Sequence, residues 1–600
     1  MKSPARLLRS LISDIIRLQP GVRGLERDLV TLEKRYQKEG FSFLSKALPA
    51  LDAQLLAGIE SGVFACPRHF KRVPGGSIPR LFSGMICEIF DSVTGVLKED
   101  ASVEALTSLH QVLNLFNKAI VDSAESDKLD RIAKDDFIAT DASVREEFPQ
   151  DLMFVARRVA SYVLPNLVGN FDRSRHGPGA VYEGARANSK YKHVFDAAIR
   201  TSDHQLTDYT TIGILDRIDL SSIPDIDMNG QLSLFSYTEP SGCIARLVTV
   251  PKNSTARRTI TVEPVLNQFV QQGLRETLLS NIDKCSILSQ CLALRRQDLN
   301  ASLALSSSLD GEYATIDLKS ASDLLSNKLV KDLFSSKHDF INEVMRCRTP
   351  LVEVDGKVIS IKKFAGMGNA LTFPIQSVCF AIVAIAGALL YGGKFPTYRN
   401  VKRAATRIRI YGDDIITHKT ITSSVVQGLQ SVGLIVNTKK SFADGDFRES
   451  CGVHAYKGVD IVPVYLRTIP LPLGLDHKDL VSLVSTANQL FDRCYYKAAA
   501  YIERCVESYL GRLPYVPNDA GVLGWHTRQQ HREYHRYNPW LHRYETLVPV
   551  ATSRKVRDVI DGYPALLKCL TTPLIGRSPG HLEWVPRRYS IRIRPRWVAY

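Results

Sequence analysis

Residues 407–417, RIRIYGDDIIT, decide the fold at the centre of this chain. Two isoleucine-rich runs flank a Gly-Asp-Asp triplet. Runs of β-branched residues predict strands, and Gly and Asp favour a tight turn between them. The pattern therefore predicts a hairpin whose tip projects the carboxylates of Asp413 and Asp414. A solvated turn without any chemistry uses the same residue types, so the triplet alone leaves both interpretations open.

A second acidic position strengthens the interpretation as a chemical site. Asp317 closes the apolar run 314–316, so its carboxylate is expected at the end of another strand. Carboxylate oxygens suit Mg²⁺, which takes few protein ligands together with substrate phosphates and water. Two such ions stabilise the attacking and leaving oxygens of an in-line phosphoryl transfer. Asp317, Asp413 and Asp414 are therefore predicted to hold a pair of Mg²⁺ ions.

The composition indicates a folded protein with a negatively charged partner. The 600 residues include 77 Lys and Arg against 62 Asp and Glu, a net charge of +15, with 44% hydrophobic and 23% charged residues. These fractions exclude disordered, collagen-like and disulfide-scaffold classes. The eleven cysteines are scattered without a C-x-x-C pair, which predicts reduced thiols and no zinc ribbon.

Two apolar segments are predicted to pack inside the protein. Residues 378–391 form the most apolar run, but it is shorter than the roughly 20 residues that span a bilayer, which favours a buried helix. The first 20 residues alternate arginines with Leu and Ile at helical spacing. A mitochondrial presequence has a similar pattern, yet Asp14 and the lack of a Ser-rich tail favour a packed helix.

The order of elements divides the chain into three parts. Helical spacing dominates about the first 165 residues and is followed by a Gly- and Pro-containing loop at 173–180. Short β-branched runs with a basic loop between them follow at 244–262. Helical spacing returns after about Leu471, so the sequence predicts helices, a mixed centre and a helical C-terminal part.

Ordered motifs in the centre of the chain resemble a known family, the replicase catalytic subunit of single-stranded RNA bacteriophages of the Qβ type. The runs are RLVTVPKNSTARRTI (246–260), ATIDLKSASD (314–323), KKFAGMGNALTFPIQS (362–377), RIYGDDII (409–416), NTKKSF (437–442) and FRESCGVHAYKGVDIVP (447–463). They fall in the family's order and cover residues 244–465. The resemblance implies an RNA-dependent RNA polymerase, with motif F in the first run and motifs A to E in the others.

The implied fold is α+β, a right-hand polymerase with fingers, palm and thumb. Its palm is expected to be an antiparallel sheet flanked by helices, between helical N- and C-terminal regions. Residues 1–310 are assigned to the N-terminal region and fingers, including the basic motif F loop at 244–262. Residues 311–470 are assigned to the palm, with a fingers insertion at about 326–362, and residues 471–600 to the thumb and C-terminal region.

The resemblance also implies roles for individual residues. The predicted catalytic residues are Asp317, Asp413, Asp414, Lys439 and Lys440, where one of the two lysines is expected to protonate the leaving pyrophosphate. The predicted metal-binding positions are Asp317, Leu318, Asp413 and Asp414, with two Mg²⁺ ions and Mn²⁺ as a substitute. The predicted nucleotide-binding residues are Arg246, Lys252, Arg257, Arg258, Asp323, Gly368, Asn369 and Thr372.

One of these assignments has an open alternative, and one motif departs from the family pattern. Asp323 and Asn369 are expected to recognise the ribose 2′-hydroxyl, but an acid at 323 also suits a helix N-cap. The family places Ser before Met-Gly-Asn in motif B, where this chain has Gly366. The corresponding hydroxyl contact is therefore not expected here.

Weaker predictions concern RNA contacts outside the centre. The predicted RNA-binding residues are His176, Gly177, Trp584, Arg587 and Arg588. The basic and aromatic tract at 525–544 suits phosphate and base contacts better than zinc, and the C-terminal arginines equally fit a strand with outward side chains. The segment around Cys451 is better explained as a supporting β-hairpin than as the site of a nucleophilic cysteine.

The family also implies partners and a place of action. They are template and product RNA, nucleoside triphosphates, host elongation factors Tu and Ts, and a ribosomal protein, with synthesis in the cytoplasm of a bacterial host, without a primer and without a membrane. A reverse transcriptase would carry an aromatic residue soon after Asp317, where Leu318 and Lys319 stand. A mitovirus-like polymerase and a non-enzymatic basic RNA-binding protein are two further interpretations of the same sequence.

Overall fold

A computed structural model gives the fold. The structure describes residues 3–120, 126–165, 167, 174–177, 179–200, 244–471, 473–528, 534–558, 560, 562–572 and 580–599. Within these ranges helices and mainly antiparallel sheets are both abundant, which confirms the predicted α+β class.

The helices fall mainly before residue 311 and around the central sheets. They are α1 Ser3–Leu18, α2 Leu25–Glu39, α3 Leu48–Ser61, α4 Ser83–Cys87, α5 Val103–Asn114, α6 Ser126–Ala142, α7 Gln150–Tyr162, α8 Ser189–Arg200, α9 Val265–Lys284, α10 Leu288–Cys291, α11 Asp298–Asp310, α12 Asn327–Leu333, α13 His338–Arg346, α14 Thr372–Leu390, α15 Tyr398–Ala405, α16 Thr422–Ser431, α17 His477–Asp492, α18 Tyr496–Leu510 and α19 Gly562–Thr571. A π-helical turn, Phe43–Ala47, precedes α3. The helical start of the chain is thereby confirmed.

The strands form small sheets. They are β1 Ile244–Pro251, β2 Arg257–Val262, β3 Tyr313–Ile316, β4 Leu318–Lys319, β5 Leu351–Val354, β6 Lys357–Ser360, β7 Ile408–Tyr411, β8 Asp414–His418, β9 Ile435–Val436, β10 Phe447–Ser450, β11 Val453–Tyr456, β12 Val459–Asp460, β13 Tyr515–Val516, β14 Trp525–His526, β15 Arg536–Asn538, β16 Arg543–Arg557 and β17 Trp584–Val598. The sheet orders are β2-β1-β5-β6, β3-β8-β7, β4-β9, β10-β11-β12, β13-β14 and β15-β16-β17.

Helix α14 forms the centre of the largest apolar cluster. Seventeen of its residues are buried, and the cluster also includes Ile408 and Ile410 of β7 and Ile415 of β8. By length and composition α14 is apolar enough to cross a membrane, but 89% of its most apolar window lies inside the protein. The predicted buried helix is therefore confirmed, and it supports the hairpin at residues 407–417 from behind.

The N-terminal helix α1 packs against the helix α18 near the other end of the chain. Its apolar side is buried, as the amphipathic spacing predicts. Asp14 is completely buried and accepts hydrogen bonds from the backbone N–H groups of Lys497 (3.0 Å) and Ala498 (2.9 Å) in the first turn of α18. These donors have no partner within their own helix, so the carboxylate satisfies them.

The prediction of a helical C-terminal part is wrong for most of the chain beyond Leu510, where α19 is the one described helix. Helices α17 and α18 fit it, but β15, β16 and β17 form an antiparallel sheet at residues 536–598. The run 591–596, IRIRPR, explains the strand, because its apolar and charged residues alternate with the period of two that strands require. This arrangement matches the alternative of a strand with outward arginines.

The crossing of α14 and α16 gives a stability prediction. A Cβ on Gly428 would lie 2.9 Å from the Cα of Gly387, closer than packed carbon atoms allow. We expect Gly428→Ala to push the helices apart and to lower the free energy of unfolding by about 1–3 kcal/mol, measured by chemical denaturation. Gly21→Ala is the control, because a Cβ added at Gly21 would have no other atom within 4 Å; an equal loss in both variants would contradict the prediction.

Candidate active site

The hairpin predicted at residues 407–417 is present. Strands β7 and β8 pair with Tyr411 opposite Asp414, and Gly412 and Asp413 form the turn. Strand β8 also pairs with β3, with Ile316 opposite Ile415. One step further along this antiparallel register, Asp317 stands across from Asp414. The two predicted acidic strand ends are therefore brought together.

Gly412 is required at the turn for two reasons. Its φ of 68° lies in the left-handed region that favours glycine. A Cβ at this position would also lie 2.7 Å from the ring of Phe373 in α14. Since the Phe373 and Tyr411 rings are in edge contact, with centroids 5.2 Å apart, α14 fixes the position of the turn.

Asp317 is held by the turn that follows β9. Its side chain accepts a hydrogen bond from Asn437 Nδ2 at 2.7 Å, and its carbonyl accepts one from the Asn437 N–H at 2.9 Å. Its own N–H donates to Ser441 Oγ at 3.1 Å. The carboxylate therefore has a fixed orientation at the end of β3.

The carboxylates of this cluster resist simultaneous ionisation. Burial, followed by the charge of Asp413, raises the pKa of Asp414 to about 6. Burial also raises the pKa of Asp317, against the lowering effects of the Asn437 hydrogen bond and the Lys440 charge, while the charges of Asp413 and Glu449 add smaller increases. Excess negative charge of this kind attracts cations, and its hard oxygen donors fit a divalent ion such as Mg²⁺.

The described residues do not present a finished metal cage. Among them, no group of three or more His, Cys, Asp or Glu side chains has the arrangement to hold a metal ion. Asp413 is exposed at the tip of the turn. The side chain of Leu318 has no donor atom, so only its backbone carbonyl can act as a ligand. The donor chemistry fits the predicted metal, although the carboxylates of this part of the chain are not gathered around one point.

The run 447–463 forms the predicted supporting hairpin. Strands β10 and β11 are joined by the turn Cys451-Gly452, and Ser450 Oγ lies 3.5 Å from Asp414 Oδ1. Burial and the charge of Asp414 raise the pKa of the Cys451 thiol to about 12. A thiol with so high a pKa is a poor nucleophile, which supports the structural interpretation of Cys451.

The two lysines of the run 437–442 differ in their contacts. Lys440 Nζ donates to Glu449 Oε1 at 3.0 Å. Although burial opposes it, the carboxylates of Glu449, Asp317 and Asp414 together raise the pKa of Lys440. Lys439 is exposed. The geometry therefore directs Lys440, of the two, toward the acidic cluster.

The basic residues of β1, β2 and their loop are divided between two environments. Lys252 and Arg258 are exposed. Arg257 is 11% exposed and is engaged by α6, where Nε lies 3.1 Å from Asp130 Oδ1 and Nη2 donates to Ser126 Oγ at 2.6 Å. The Arg246 guanidinium lies over the Tyr182 ring, 5.7 Å from its centroid. Arg257 therefore anchors the loop, whereas the side chains of Lys252 and Arg258 extend into solvent.

Asp323 and Asn369 are held by different partners. Asp323 Oδ1 accepts a hydrogen bond from the fully buried Lys363 Nζ at 2.8 Å. Asn369 Nδ2 lies 3.4 Å from the buried Glu263. The alternative of a helix cap at Asp323 is wrong, because α12 begins later and its cap is Ser326, whose side chain accepts from the Lys328 N–H.

Steric crowding explains the glycine that departs from the family pattern. A Cβ on Gly366 would lie 2.4 Å from Thr261 Cγ2, and one on Gly368 would lie 2.0 Å from the Thr261 carbonyl oxygen. Thr261 N–H donates to the Met367 carbonyl at 2.6 Å, and Thr372 Oγ1 donates to the Gly366 carbonyl at 3.0 Å. Strand β2 therefore lies too close to this loop for a serine at position 366.

The predicted RNA-contact residues are unevenly exposed. Both ring nitrogens of His176 are buried, and among the described residues neither has a hydrogen-bond partner. Lys190 donates to the carbonyls of Gly177 (2.8 Å) and Gly179, which fixes the loop internally. Trp584 is 43% exposed.

Part of the C-terminal prediction falls on residues whose placement is not described. The side chains of Arg587 and Arg588 lie outside the described residues, as does His531 of the tract 525–544. Arg592, Arg594 and Arg596 are exposed along β17 and, with Lys555 and neighbouring hydroxyl side chains, line a cavity of about 620 Å³.

Sequence reasoning missed several groups that contact the predicted site. Asn437 orients Asp317, and Lys363 pairs with Asp323. A buried chain of Asp52, His110 and His454 leads to Glu449. The available signal for Asn437 is its place two residues before the lysine pair, whereas nothing in the sequence indicates that Asp52 or His110 approaches a motif several hundred residues away.

Arg448 gives a prediction for the stability of this region. Its side chain is completely buried, and it donates to the backbone carbonyls of Tyr313 (2.6 Å), Phe447 (2.7 Å), Ala443 (3.0 Å) and Gly445. We expect Arg448→Lys to lower the free energy of unfolding by roughly 3 kcal/mol, because an ammonium cannot reach all four acceptors. Chemical denaturation measures the loss. Arg296→Lys, at a 63% exposed arginine, is the control, and similar stability of the two variants would contradict the prediction.

Comparison with known proteins identifies relatives of the central segment. Residues 238–488 match the family model described as RNA replicase, beta-chain. The RNA-directed RNA polymerase subunit beta of Qbeta virus (strain MX1) is 38% identical over 227 residues, covering 37% of this chain and 35% of the relative. The corresponding beta chain of Escherichia phage MS2 is 36% identical over 219 residues, covering 36% and 37%. That of Enterobacteria phage fr is 33% identical over 262 residues, covering 42% and 43%.

These matches cover less than half of each relative. The chain spans 35% to 43% of the length of these relatives. The solved RNA-dependent RNA polymerase of a human picorbirnavirus has a TM-score of 0.33 and 11% identity, covering 45% of this chain and 57% of that chain, a likeness too low to establish a shared fold. The resemblance indicated by the ordered motifs is confirmed for residues 238–488, which match the RNA replicase beta-chain family.

Proposed function

We propose that this chain is an RNA-directed RNA polymerase that copies the genome of a positive-strand RNA phage. The observation that carries the proposal is the pairing of β3 with β8, which sets Asp317 opposite Asp414 with Lys440 directed toward them. Replicase beta chains of RNA phages share this segment, which supports the same chemistry here. Synthesis is proposed to start without a primer.

The proposed architecture is a right hand. The sheet β3-β8-β7, supported by α14, corresponds to the palm within residues 311–470, with the fingers insertion at about 326–362. Residues 1–310 are proposed as the N-terminal region and fingers, and residues 471–600 as the thumb and C-terminal region. The antiparallel sheet at residues 536–598 belongs to this last part.

The proposed reaction is nucleotidyl transfer to an RNA 3′-hydroxyl. Asp317, Asp413, Asp414 and the carbonyl of Leu318 are proposed to hold two Mg²⁺ ions, for which Mn²⁺ can substitute. When bound, such ions stabilise the attacking and leaving oxygens. Asn437 orients Asp317 by its hydrogen bond, and Lys440 donates a proton to the departing pyrophosphate.

The proposed nucleotide path uses the charge and shape of the surrounding elements. Lys252 and Arg258 are exposed and are proposed to neutralise the triphosphate, while Arg246 and Arg257 shape the loop. Asp323, with Asn369, is proposed to recognise the ribose 2′-hydroxyl. Gly368 and Thr372 are proposed to shape the loop beneath the nucleotide, consistent with its close approach to β2.

The proposed partners follow from the phage relatives. Template and product RNA and the four ribonucleoside triphosphates are the substrates. Host elongation factors Tu and Ts and a ribosomal protein are proposed as subunits, and the cytoplasm of a bacterial host as the place of synthesis. A reverse transcriptase would use deoxynucleotides as readily as ribonucleotides, so equal incorporation of both would overturn the assignment to RNA synthesis.

Asp413→Asn tests the function directly. We expect nucleotide incorporation to fall by at least about 1,000-fold, because the substitution removes a negative charge from the proposed metal-binding cluster. Incorporation of labelled ribonucleotides on an RNA template measures the loss, and filter binding is expected to show unchanged RNA affinity. Asp136→Asn, at an exposed carboxylate of α6, is the matched control. Full incorporation by Asp413→Asn would contradict the assignment.

The arginines of β17 are proposed to contact RNA. Arg592, Arg594 and Arg596 stand at alternate positions and share one side of the strand. Their cross-strand partners on β16 are Thr552, Val550 and Val548, none of them acidic. Because these cations have no opposing carboxylate across the strand pair, they are available to neutralise phosphates.

Arg594→Ala gives the corresponding prediction. We expect RNA affinity to fall about tenfold, and the slope of log affinity against log salt concentration to decrease by about one, because one phosphate contact is lost. Fluorescence anisotropy over a salt series measures both quantities. Lys357→Ala removes an equal charge from the exposed β6 and serves as the control. An unchanged salt slope for Arg594→Ala would exclude the contact.

A further inference from the structure

A continuous line of polar side chains runs from the N-terminal helices to Lys440. Asp52 of α3 lies 2.6 Å from His110 Nδ1, and His110 Nε2 lies 2.8 Å from His454 Nδ1. His454 Nε2 lies 3.7 Å from Glu449 Oε1, the same oxygen that accepts from Lys440 Nζ at 3.0 Å. Three separate parts of the chain therefore meet in one line.

The line is buried at one end and open at the other. The side chains of His110 and Asp52 are 2% and 7% exposed, and that of His454 is 13% exposed. Lys440, at the far end, is 54% exposed. Polar groups in an apolar interior are costly unless they are paired, so the two buried contacts at 2.6 and 2.8 Å each contain a proton.

The contacts in the line differ in kind. The contact between Asp52 and His110 Nδ1 and the contact between His110 Nε2 and His454 Nδ1 are short enough for hydrogen bonds, and each contains one proton. The 3.7 Å between His454 Nε2 and Glu449 Oε1 is too long for a hydrogen bond, so His454 acts on Glu449 by contact and by electrostatics. Burial, followed by the charge of His110, lowers the pKa of His454 to about 4.

Neighbouring basic groups act on Glu449. Burial alone would raise its pKa, but His454, Lys440 and His110 together lower it, which favours the ionised carboxylate. An ionised Glu449 in turn favours the protonated form of Lys440. The arrangement thus maintains a charged donor at the edge of the acidic cluster.

We propose that Asp52, His110 and His454 are positioning residues that hold Glu449, and through it Lys440, at the catalytic centre. The proposal rests on the proposed function, in which Lys440 donates a proton to pyrophosphate. It goes beyond that function because Asp52 and His110 lie in α3 and α5, outside the segment 238–488 that matches the replicase family. The N-terminal helices therefore contribute to the chemical step.

Other charged groups surround the line and belong to its electrostatic balance. Lys440 faces Asp317 and Asp414 on the side of the active site, and the charge of Lys118 acts on it from the segment that follows α5. Lys118 lies over the ring of Tyr465, 3.7 Å from the centroid, and is also influenced by Arg467. Substitutions within the line leave these groups unchanged, so differences between such variants report on the line itself.

A double-mutant cycle tests the proposal in the full-length chain. The variants are His454→Gln, Lys440→Ala and the two combined, and the measurements are the rate of single-nucleotide addition, the nucleotide KM and the RNA Kd. We expect Lys440→Ala to slow addition about 100-fold, as for loss of a general acid. We expect His454→Gln to slow it about tenfold with unchanged KM and Kd, and by less than about twofold in the Lys440→Ala background.

The controls separate positioning from a general structural effect. Arg9→Gln breaks another contact of the N-terminal helices, Arg9 Nη2 to Glu33 Oε1 at 2.6 Å, and is expected to leave the rate unchanged. If His454→Gln does not fold, Asp52→Asn replaces it in the same cycle, because an amide keeps the shape and a hydrogen-bonding oxygen. Equal rate losses from the histidine or Asp52 variant in both backgrounds would overturn the proposal.

A pH profile adds a second, independent measurement. Glu449→Gln removes the carboxylate that raises the pKa of Lys440, so Lys440 loses its proton at lower pH and the alkaline limb of the rate profile moves to lower pH. An unmoved limb would overturn the link between Glu449 and Lys440. Absence of any RNA synthesis by the wild-type chain would instead refute the proposed function, and the inference with it.

Discussion

The antiparallel pairing of β3 with β8 is the constraint on which the central structure depends. It places two carboxylates at neighbouring strand ends in a partly buried setting, where like charges repel and water is scarce. Such an arrangement persists only if the surrounding elements are rigid. The buried helix α14 supports the hairpin through Phe373, and Asn437 and Ser441 fix Asp317. The packing of α14 and the hydrogen bonds to Asp317 therefore compensate for the electrostatic repulsion between the carboxylates.

The positive charge of the chain is distributed around this acidic centre with different tasks. Arg448 is wholly structural, because it is buried among backbone carbonyls. Arg257 and Lys363 are paired with carboxylates of neighbouring elements. The described cations of the β1–β2 loop and of β17 are exposed. A net charge of +15 thus combines buried structural cations with exposed ones.

Local pattern predicts the centre of this protein well. The hairpin at Gly412, the strand before Asp317 and the buried helix α14 all follow from residue periodicity and turn chemistry, and the structure has each of them. Contacts between distant segments could not be predicted in this way. Nothing in the sequence near His110 indicates His454, because the fold alone brings them together. The strand that contains IRIRPR was predicted only as an alternative and the sheet around it was not, since helical spacing earlier in that part dominated the interpretation.

The contact between β2 and the loop at residues 366–368 also has a mechanical consequence. Thr261 is hydrogen-bonded to Met367 and packs where any side chain on Gly366 or Gly368 would collide with it. The loop therefore cannot shift toward β2, and a shift away from it breaks the hydrogen bond or carries the strand along. Because β2 begins at Arg257, movement of the loop at residues 366–368 is transmitted along the strand to the basic residues at its start. The loop and β2 thus move together as one unit.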